Sequence, residues 1–161
     1  MAKIIIALLL IASLAGIVTS ASLNALPGSP LYPFKINVTE KVGQFLTFTN
    51  YEKTEFSEDI AETRLGELQA LFQNGTLTSA VEVQLISAFD TQTTTVETGV
   101  QTLVQKGDPI DALQILEDFQ TSVANAVATL PSDSSIALHL QTTLASLSAL
   151  SGSIATSTIK K

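Results

Sequence analysis

The chain has 161 residues, a formal net charge of −7 at pH 7 and no cysteine. The missing thiols exclude disulfides, thiolate metal sites and a cysteine nucleophile. Asp and Glu outnumber Lys and Arg by 15 to 8, which opposes contact with nucleic-acid phosphates, so we expect no nucleic acid among the partners. The length suits one domain that buries its own core.

The first 21 residues have the pattern of a secretory signal peptide. Lys3 precedes an apolar run over residues 4–18, and small residues follow up to Ala21. The alternative is an uncleaved N-terminal anchor, and we expect the chain to touch a membrane only in that case, through residues 4–21. Both alternatives predict a secreted, periplasmic or cell-surface protein.

A short linker is predicted over residues 22–29, and helical signals begin at its end. Ser29 is a candidate N-cap, and Pro30 suits the first position of a helix, where a missing N–H costs nothing. This first helix is predicted to end near Phe48, where Thr49-Asn50 breaks it. Its apolar positions recur at helical spacing: Leu31, Phe34, Val38, Val42, Phe45 and Leu46.

The second predicted helix is amphipathic and ends at Asn74-Gly75, a common C-terminal stop. Its apolar stripe contains Phe56, Ile60, Leu65, Leu68, Leu71 and Phe72. The rest of its surface is predicted to carry the charged residues Glu58, Asp59, Glu62, Arg64 and Glu67.

The third predicted helix runs from a capping box at residues 79–82 to Lys106-Gly107. Its middle is ambiguous, because residues 91–95 are rich in β-branched threonine and Gly99 lowers helix propensity. Apolar residues also alternate at period two over residues 96–104, so a strand there is the alternative. The glycine stop and the clear neighbouring helices favour a helix.

Two more helices complete the prediction. Asp108-Pro109 begins a fourth helix that ends before Pro131, and Ser132-Asp133 begins the last one. The sequence therefore predicts an all-α fold, as an antiparallel helical bundle or long helical hairpins of four to five helices after an N-terminal signal or anchor helix. The helical domain is predicted over residues 30–155, with a frayed tail over residues 156–161.

Two segments resemble a known family. Residues 26–35, Leu-Pro-Gly-Ser-Pro-Leu-Tyr-Pro-Phe-Lys, resemble the opening motif of the DUF5667 family, a domain of unknown function in exported bacterial and archaeal proteins. Residues 61–68, Ala-Glu-Thr-Arg-Leu-Gly-Glu-Leu, are similar to a helix of the same family. The resemblance covers residues 26–130, implies an extended helical domain and supplies no catalytic residue. Since Thr, Ser and Gln replace much of the family's charge, we expect a compact bundle.

The opening motif also has a physical interpretation. Three prolines and one glycine within seven residues stiffen the chain, and the apolar side chains beside them are suited to dock on the following helices. We therefore predict a docking motif formed by Pro27, Gly28, Pro30, Leu31, Tyr32, Pro33 and Phe34.

No combination of residues in the sequence predicts catalysis. His139 is the only histidine, and no acidic residue lies three or four positions from it, so a partly buried structural histidine is the favoured interpretation. Motifs for a nucleophilic serine, for phosphate binding and for zinc binding are missing from the sequence. We expect neither an enzyme nor a cofactor.

Weaker candidate sites remain on the predicted helices and turns. Glu55, Asp59 and Glu62 share one helical face that suits a loosely held cation such as Ca²⁺, although a solvated face near a helix start explains the same residues. Asn37 and Asn74 each begin an Asn-x-Thr sequence and are candidate glycosylation sites. Asn74 is the better candidate because it lies at a turn.

Two functional hypotheses follow. The first is an exported, non-enzymatic helical protein that acts as an interaction or assembly module of the cell envelope, with another protein or further copies of itself as partner. Assembly requires a helix with apolar residues on two faces, and the third predicted helix qualifies through Val81, Val83, Leu85 and Ile86. The alternative is a periplasmic or extracellular sensor module that binds a cation or small ligand on its acidic face.

Overall fold

A computed structural model describes residues 22–159 of the chain. These residues divide between Leu46 and Thr47 into two compact units, which we call the N-terminal unit (residues 22–46) and the bundle (residues 47–159). The predicted export segment and the last two residues of the chain lie outside the described residues. Within residues 22–159, no helix is long and apolar enough to span a bilayer.

In the N-terminal unit, Ser22 and Leu23 are helical, and a longer continuous helical stretch covers residues 32–45. We call this longer stretch the N-terminal helix. It consists of α1 (Tyr32–Phe34), a π-helix (Lys35–Thr39) and α2 (Glu40–Phe45). The predicted helix started at Pro30 and reached Phe48, so the observed one is shorter at both ends. No side-chain hydrogen bond caps its start, where Leu31 is the N-cap.

The bundle contains four long helices: α3 (Asn50–Gln73), α4 (Ser79–Lys106), α5 (Pro109–Thr129) and α6 (Ser135–Ile159). The described residues contain no strand, which confirms the all-α prediction and the helical alternative for residues 96–104. Five of the six threonines of α4 fit the helix because their hydroxyls donate to backbone carbonyls four residues earlier, as Thr95 Oγ1 does to Thr91 O at 2.9 Å. The sixth, Thr93, has a buried hydroxyl without a partner among residues 22–159.

The start of α3 corrects the sequence prediction at Thr49-Asn50. These residues do not merely end one helix, since Thr49 caps the next one in a capping box with Glu52. The Glu52 N–H donates to Thr49 Oγ1 at 3.1 Å, and Glu52 Oε2 accepts from the N–H groups of Thr49 and Phe48, each at 2.8 Å. The bonds that the Glu52 carboxylate accepts hold its pKa below the usual range, and the bond from the Thr49 N–H contributes most.

Two other predicted caps are displaced by one or two residues. Thr78, not Ser79, caps α4, because its Oγ1 accepts from the N–H of Val81. Ser134, rather than Ser132-Asp133, provides the cap of α6, because its Oγ accepts from the N–H of Ala137 at 3.1 Å. A capping hydroxyl must face the N–H three residues later. Neighbouring hydroxyl residues give almost the same sequence pattern, so the sequence does not show which of them caps the helix.

The predicted ends at glycine and proline are confirmed. Gly107 ends α4 with φ of +98°, a backbone conformation that side chains beyond glycine rarely adopt. Pro109 then occupies the first position of α5, although Asp108 makes no side-chain bond to the helix.

Hydrogen bonds between non-sequential helices establish the topology of the bundle. Glu62 and Gln69 of α3 bond to Ser122 and Thr129 of α5, both 60 residues later. A constant separation means that α3 and α5 are parallel. Pairs 49 residues apart join α4 to α6 in the same way. The helices therefore alternate up, down, up and down, with α3 packed mainly on α4 and α6 mainly on α5.

The core of the bundle consists of the inward stripes of all four helices. Phe89 of α4 and Phe119 of α5 lie at its centre with ring centroids 6.0 Å apart. The other large buried side chains are Leu65, Leu68, Leu71, Leu85, Val96, Val100, Leu103, Ile115, Leu116, Val123, Leu130, Ile136, Leu140, Leu147 and Ile154.

Gly99 lets α3 and α4 approach each other closely. A Cβ at Gly99 would lie 2.7 Å from Thr54 Cγ2 and 2.9 Å from Thr54 Cβ, well inside van der Waals contact. The residue that weakens the helical pattern in the sequence is therefore the one that permits the tightest helix contact.

The charged face predicted for α3 is partly wrong. Glu58, Arg64 and Glu67 are buried, with exposed fractions of 7%, 3% and 4%. Because α3 packs on both α4 and α5, a single apolar stripe is too narrow to cover both contacts. Arg64 and Glu67 are buried together as an ion pair, with Arg64 Nη1 at 2.9 Å from Glu67 Oε1.

Candidate functional site

The opening motif forms two consecutive turns that lead into the N-terminal helix. The Ser29 N–H donates to Leu26 O at 3.0 Å, and Pro27 and Gly28 occupy the corner of this turn. Gly28 has φ of +91°, as the third residue of a type II turn requires. The Tyr32 N–H then donates to Ser29 O at 3.1 Å. Proline and glycine thus define the path of the chain before the first helical residue.

Ser29 is not the N-cap that the sequence predicts. Its hydroxyl oxygen is inaccessible to solvent and has no hydrogen-bond partner among the described residues. The second turn separates Ser29 from the helix, so the hydroxyl reaches no helical N–H.

The apolar side chains of the predicted docking motif differ in their exposure to solvent. Tyr32 is buried, with 7% of its surface exposed, whereas Leu31 and Phe34 are half-buried. Pro30 and Pro33 are exposed. Docking of this motif onto following helices stays a prediction, but Tyr32 is the side chain on which it most depends.

The rest of the N-terminal helix carries an apolar face that the described residues do not cover. Val38 is 41% exposed, Val42 53%, Phe45 81% and Leu46 59%. These positions follow one another at helical spacing, so the four side chains share one face. We call this set the exposed apolar face. The sequence predicted the stripe correctly but gave no sign that it would remain exposed.

The three predicted acidic residues lie on α3 but have different surroundings. Glu55 and Asp59 are exposed, and Glu62 is half-buried and accepts a hydrogen bond from Ser122 Oγ of α5. Although much of Asp59 is exposed, partial desolvation of its carboxyl group, followed by the charges of Glu62 and Glu55, raises its pKa. Among residues 22–159, no group of three or more His, Asp or Glu side chains is placed to hold a metal ion.

Glu58 is the most unusual acidic residue of α3. Burial raises its pKa to about 8, and the nearby carboxylates of Glu62, Asp118, Asp59 and Glu55 add to the effect. Glu58 is therefore mostly protonated at neutral pH. The local sequence pattern places Glu58 on a solvated face, because the packing of α5 against α3 is a long-range feature.

Three hydrogen bonds across the bundle join α6 to all the acidic side chains of α4. Ser135 Oγ donates to Glu82 Oε1 at 3.1 Å, and Ser146 Oγ donates to Glu97 Oε1 at 3.1 Å. Between these bonds, His139 Nε2 lies 2.7 Å from Asp90 Oδ1. The sequence analysis missed the partner of His139. Asp90 and Glu97 are separated by the same number of residues as His139 and Ser146. This equal spacing is the one sequence signal that would have indicated the pairing, if the parallel direction of α4 and α6 had been known.

The two-faced helix required for assembly is present in α4. Leu85 is buried in the core with 1% exposed, whereas Val83 is 69% exposed. Val81 and Ile86 are half-buried between these two faces. The predicted division of these residues between two faces is confirmed.

The two candidate glycosylation sites have different backbone settings. Asn37 lies in the π-helix and its Nδ2 donates to Pro33 O at 2.9 Å. Asn74 is the exposed C-cap of α3, directly before Gly75 with φ of +65°. Both asparagines are exposed, and Asn74 remains the better candidate because it lies at a helix end; the use of either site stays a prediction.

A family comparison agrees with the opening motif. Residues 24–100 match the model of the DUF5667 family, a domain of unknown function. The resemblance noted in the sequence is thus confirmed over the N-terminal unit, α3 and most of α4, and the match ends before residue 130, to which the resemblance was expected to extend. No curated protein and no solved structure matches the chain.

Proposed function

We propose that this protein is an exported, non-enzymatic helical module that acts through its surface, as an interaction or assembly protein of the cell envelope. The observation that carries the proposal is the exposed apolar face, with Phe45 81% and Leu46 59% exposed. Contiguous exposed apolar side chains of this size mark interaction sites, because their hydration is unfavourable until a partner covers them.

Two further observations support the proposal. The pattern of residues 1–21 is that of an export segment, which directs the chain out of the cytoplasm. The family that matches residues 24–100 has no assigned activity, so it adds no catalytic expectation. The proposed partner is a protein, because the side chains of the exposed apolar face are spaced to fit between those of a second helix.

The test combines cell fractionation with cross-linking in the protein's own host. We expect the tagged chain in the envelope or external fraction, and an amine-reactive cross-linker should convert it to larger species. Phe45→Ser should reduce these species about tenfold, because it replaces the centre of the apolar contact by a polar group. The matched control is Ile110→Ser on α5, since Ile110 is 76% exposed but lies outside the apolar face.

Two results would contradict the proposal. The first is a chain that remains in the cytoplasm. The second is a cross-linking pattern that Phe45→Ser and Ile110→Ser leave equally unchanged. A calorimetric titration of the wild-type chain with Ca²⁺ separates the proposal from the cation-sensor alternative, because saturable heat would favour the sensor.

A further inference from the structure

The outer side of α4 carries two adjoining grooves. One, of about 310 Å³, lies between α3 and α4 and is lined by Lys53, Thr98 and Thr102 among others. The other, of about 460 Å³, is lined by Val83, Ile86 and Asp90 together with neighbouring polar residues of α4. Thr94 lines both grooves, so they meet there and form one surface along the helix.

This surface is less polar than its sequence indicates. Five threonines of α4 donate their hydroxyls to carbonyls of their own helix at 2.8–2.9 Å: Thr91, Thr94, Thr95, Thr98 and Thr102. The hydroxyl hydrogens are therefore already used, so each side chain presents its methyl group and an oxygen that can only accept. Val83, 69% exposed, extends the apolar character towards the start of α4.

The two grooves carry opposite charges. Lys53 lines the first groove, and the described residues provide no ion-pair partner for its side chain. Asp90 lines the second groove and uses only Oδ1 in its contact with His139, so Oδ2 remains available. Lys53 and Asp90 thus lie on either side of Thr94.

A two-fold rotation about Thr94 makes this surface complementary to itself. Along α4, Asp90 and Thr98 lie equally far from Thr94 on opposite sides, and so do Ile86 and Thr102. The rotation therefore places the groove with Lys53 of one copy over the groove with Asp90 of the other.

We infer that two copies of this chain pack through α4, antiparallel about a two-fold axis at Thr94, with Ile86 of each copy in the groove beside Thr102 of the other. Each Lys53 then pairs with Asp90 of the second copy, and the threonine methyl groups form the centre of the contact. A second copy is the occupant because the same rotation pairs the Lys53 ammonium of each copy with the Asp90 carboxylate of the other and brings the exposed threonines of the two α4 helices together. This inference goes beyond the proposed function, since it concerns a surface of the bundle and not the exposed apolar face.

The absence of cysteine from the chain permits a direct test by disulfide cross-linking. Thr94→Cys in the full chain places a thiol on the proposed axis, where two copies bring their thiols together. We expect mild oxidation to give a covalent dimer on a non-reducing gel. Thr121→Cys is the matched control, because Thr121 is an exposed threonine of α5 with the same hydroxyl bond, to Glu117 O at 2.9 Å. Equal dimer yields from the two variants would overturn the inference.

Charge reversal tests the geometry of the pair. In the Thr94→Cys background, Lys53→Glu should lower the dimer yield about tenfold, because it places two carboxylates together. Asp90→Lys should do the same, and the combined variant should restore the yield. A combined variant that dimerises no better than either single one would contradict the assigned pairing. A restored dimer yield in the combined variant also excludes misfolding as the cause of the loss, because the single Asp90→Lys variant and the combined variant both lack the contact with His139.

The inference and the proposed function fail separately. If Thr94→Cys gives no specific dimer while Phe45→Ser still abolishes cross-linking in the host, the α4 interface is wrong and the proposed function stands. If Thr94→Cys dimerises while Phe45→Ser leaves cross-linking in the host unchanged, the α4 interface stands and the proposed function is wrong.

Discussion

The bundle and the N-terminal unit contain equally regular apolar stripes, but only the bundle buries them. Phe119 of α5 is completely buried, whereas Phe45 of the N-terminal helix is 81% exposed. Each bundle helix has at least two helical neighbours within its own unit, while the described part of the N-terminal unit contains no second long helix beside the N-terminal helix. Helical periodicity therefore predicts which residues share a face, and long-range packing decides whether that face is covered.

The largest expected difference between the two units concerns these two phenylalanines. Phe119→Ala should lower the free energy of unfolding by about 4 kcal/mol, because it leaves a cavity beside Phe89. Phe45→Ala should change it by less than about 0.5 kcal/mol, because the side chain is already in water. Urea unfolding followed by circular dichroism measures both. Similar losses for the two variants would abolish the distinction between the units.

A pH titration of stability tests the buried acid of the bundle. The folded-state pKa of Glu58 is about 8, above its ordinary value of 4.5, so the folded chain binds more protons between these values. The stability that this proton contributes is fully present below pH 4.5 and is lost as the pH rises through 8. With each pKa unit worth about 1.4 kcal/mol and allowance for solvent screening, we expect a loss of roughly 2–3 kcal/mol between pH 5 and pH 9.

Glu58→Gln should remove this part of the pH dependence, because the amide stays neutral. Glu55→Gln is the control on the same helix, since Glu55 is exposed. Thermal melts of both variants between pH 5 and pH 9 give the comparison. A slope that survives in Glu58→Gln would assign the effect to other carboxylates of the bundle.

The close approach of α3 and α4 predicts that replacing a glycine inside a helix by alanine will destabilise the protein. Gly99→Ala should cost about 2 kcal/mol, because its methyl group meets Thr54 and the gain in helix propensity does not offset the overlap. Gly66→Ala in α3 should gain up to about 1 kcal/mol, because nothing lies within 4 Å of the added carbon. Chemical denaturation of the pair distinguishes tight packing from helix propensity, and a stabilised Gly99→Ala variant would refute the contact.

The smallest effect compares the observed cap of α3, Thr49, with Ser29, the cap that the sequence predicted for the N-terminal helix. Thr49→Ala should cost about 1 kcal/mol, because Thr49 Oγ1 accepts from the N–H of Glu52. Ser29→Ala should be neutral or slightly stabilising, because the Ser29 hydroxyl is inaccessible and has no partner among residues 22–159. Differential scanning calorimetry resolves the difference. A larger loss of stability for Ser29→Ala than for Thr49→Ala would show that Ser29 caps the N-terminal helix.

Local chemistry made much of the fold predictable. Gly107, Pro109 and Asn74-Gly75 mark helix ends through backbone conformations that hardly depend on the rest of the molecule. The four long helices follow from such signals and from apolar spacing, whereas the family was indicated by the resemblance of residues 26–35 to its opening motif. Cap residues were less predictable, because adjacent hydroxyl residues such as Thr78 and Ser79 give almost the same sequence pattern.

Long-range contacts explain what the sequence did not predict. Glu58 and Arg64 are buried because α3 has two neighbours, and no local pattern contains that information. The contact of His139 with Asp90 joins residues 49 positions apart and depends on the parallel direction of α4 and α6. Gly99 lowers the helix propensity of α4, although its missing side chain is what the neighbouring helix requires.

Hydroxyl-radical footprinting of the purified wild-type chain tests the central contrast in one measurement. The account predicts that Phe45 is oxidised nearly as fast as in the unfolded chain, while Phe89 and Phe119, each no more than 1% exposed, are protected at least about tenfold. Protection of Phe45 equal to that of Phe119 would contradict the account, because the apolar face of the N-terminal helix would then be covered like the core.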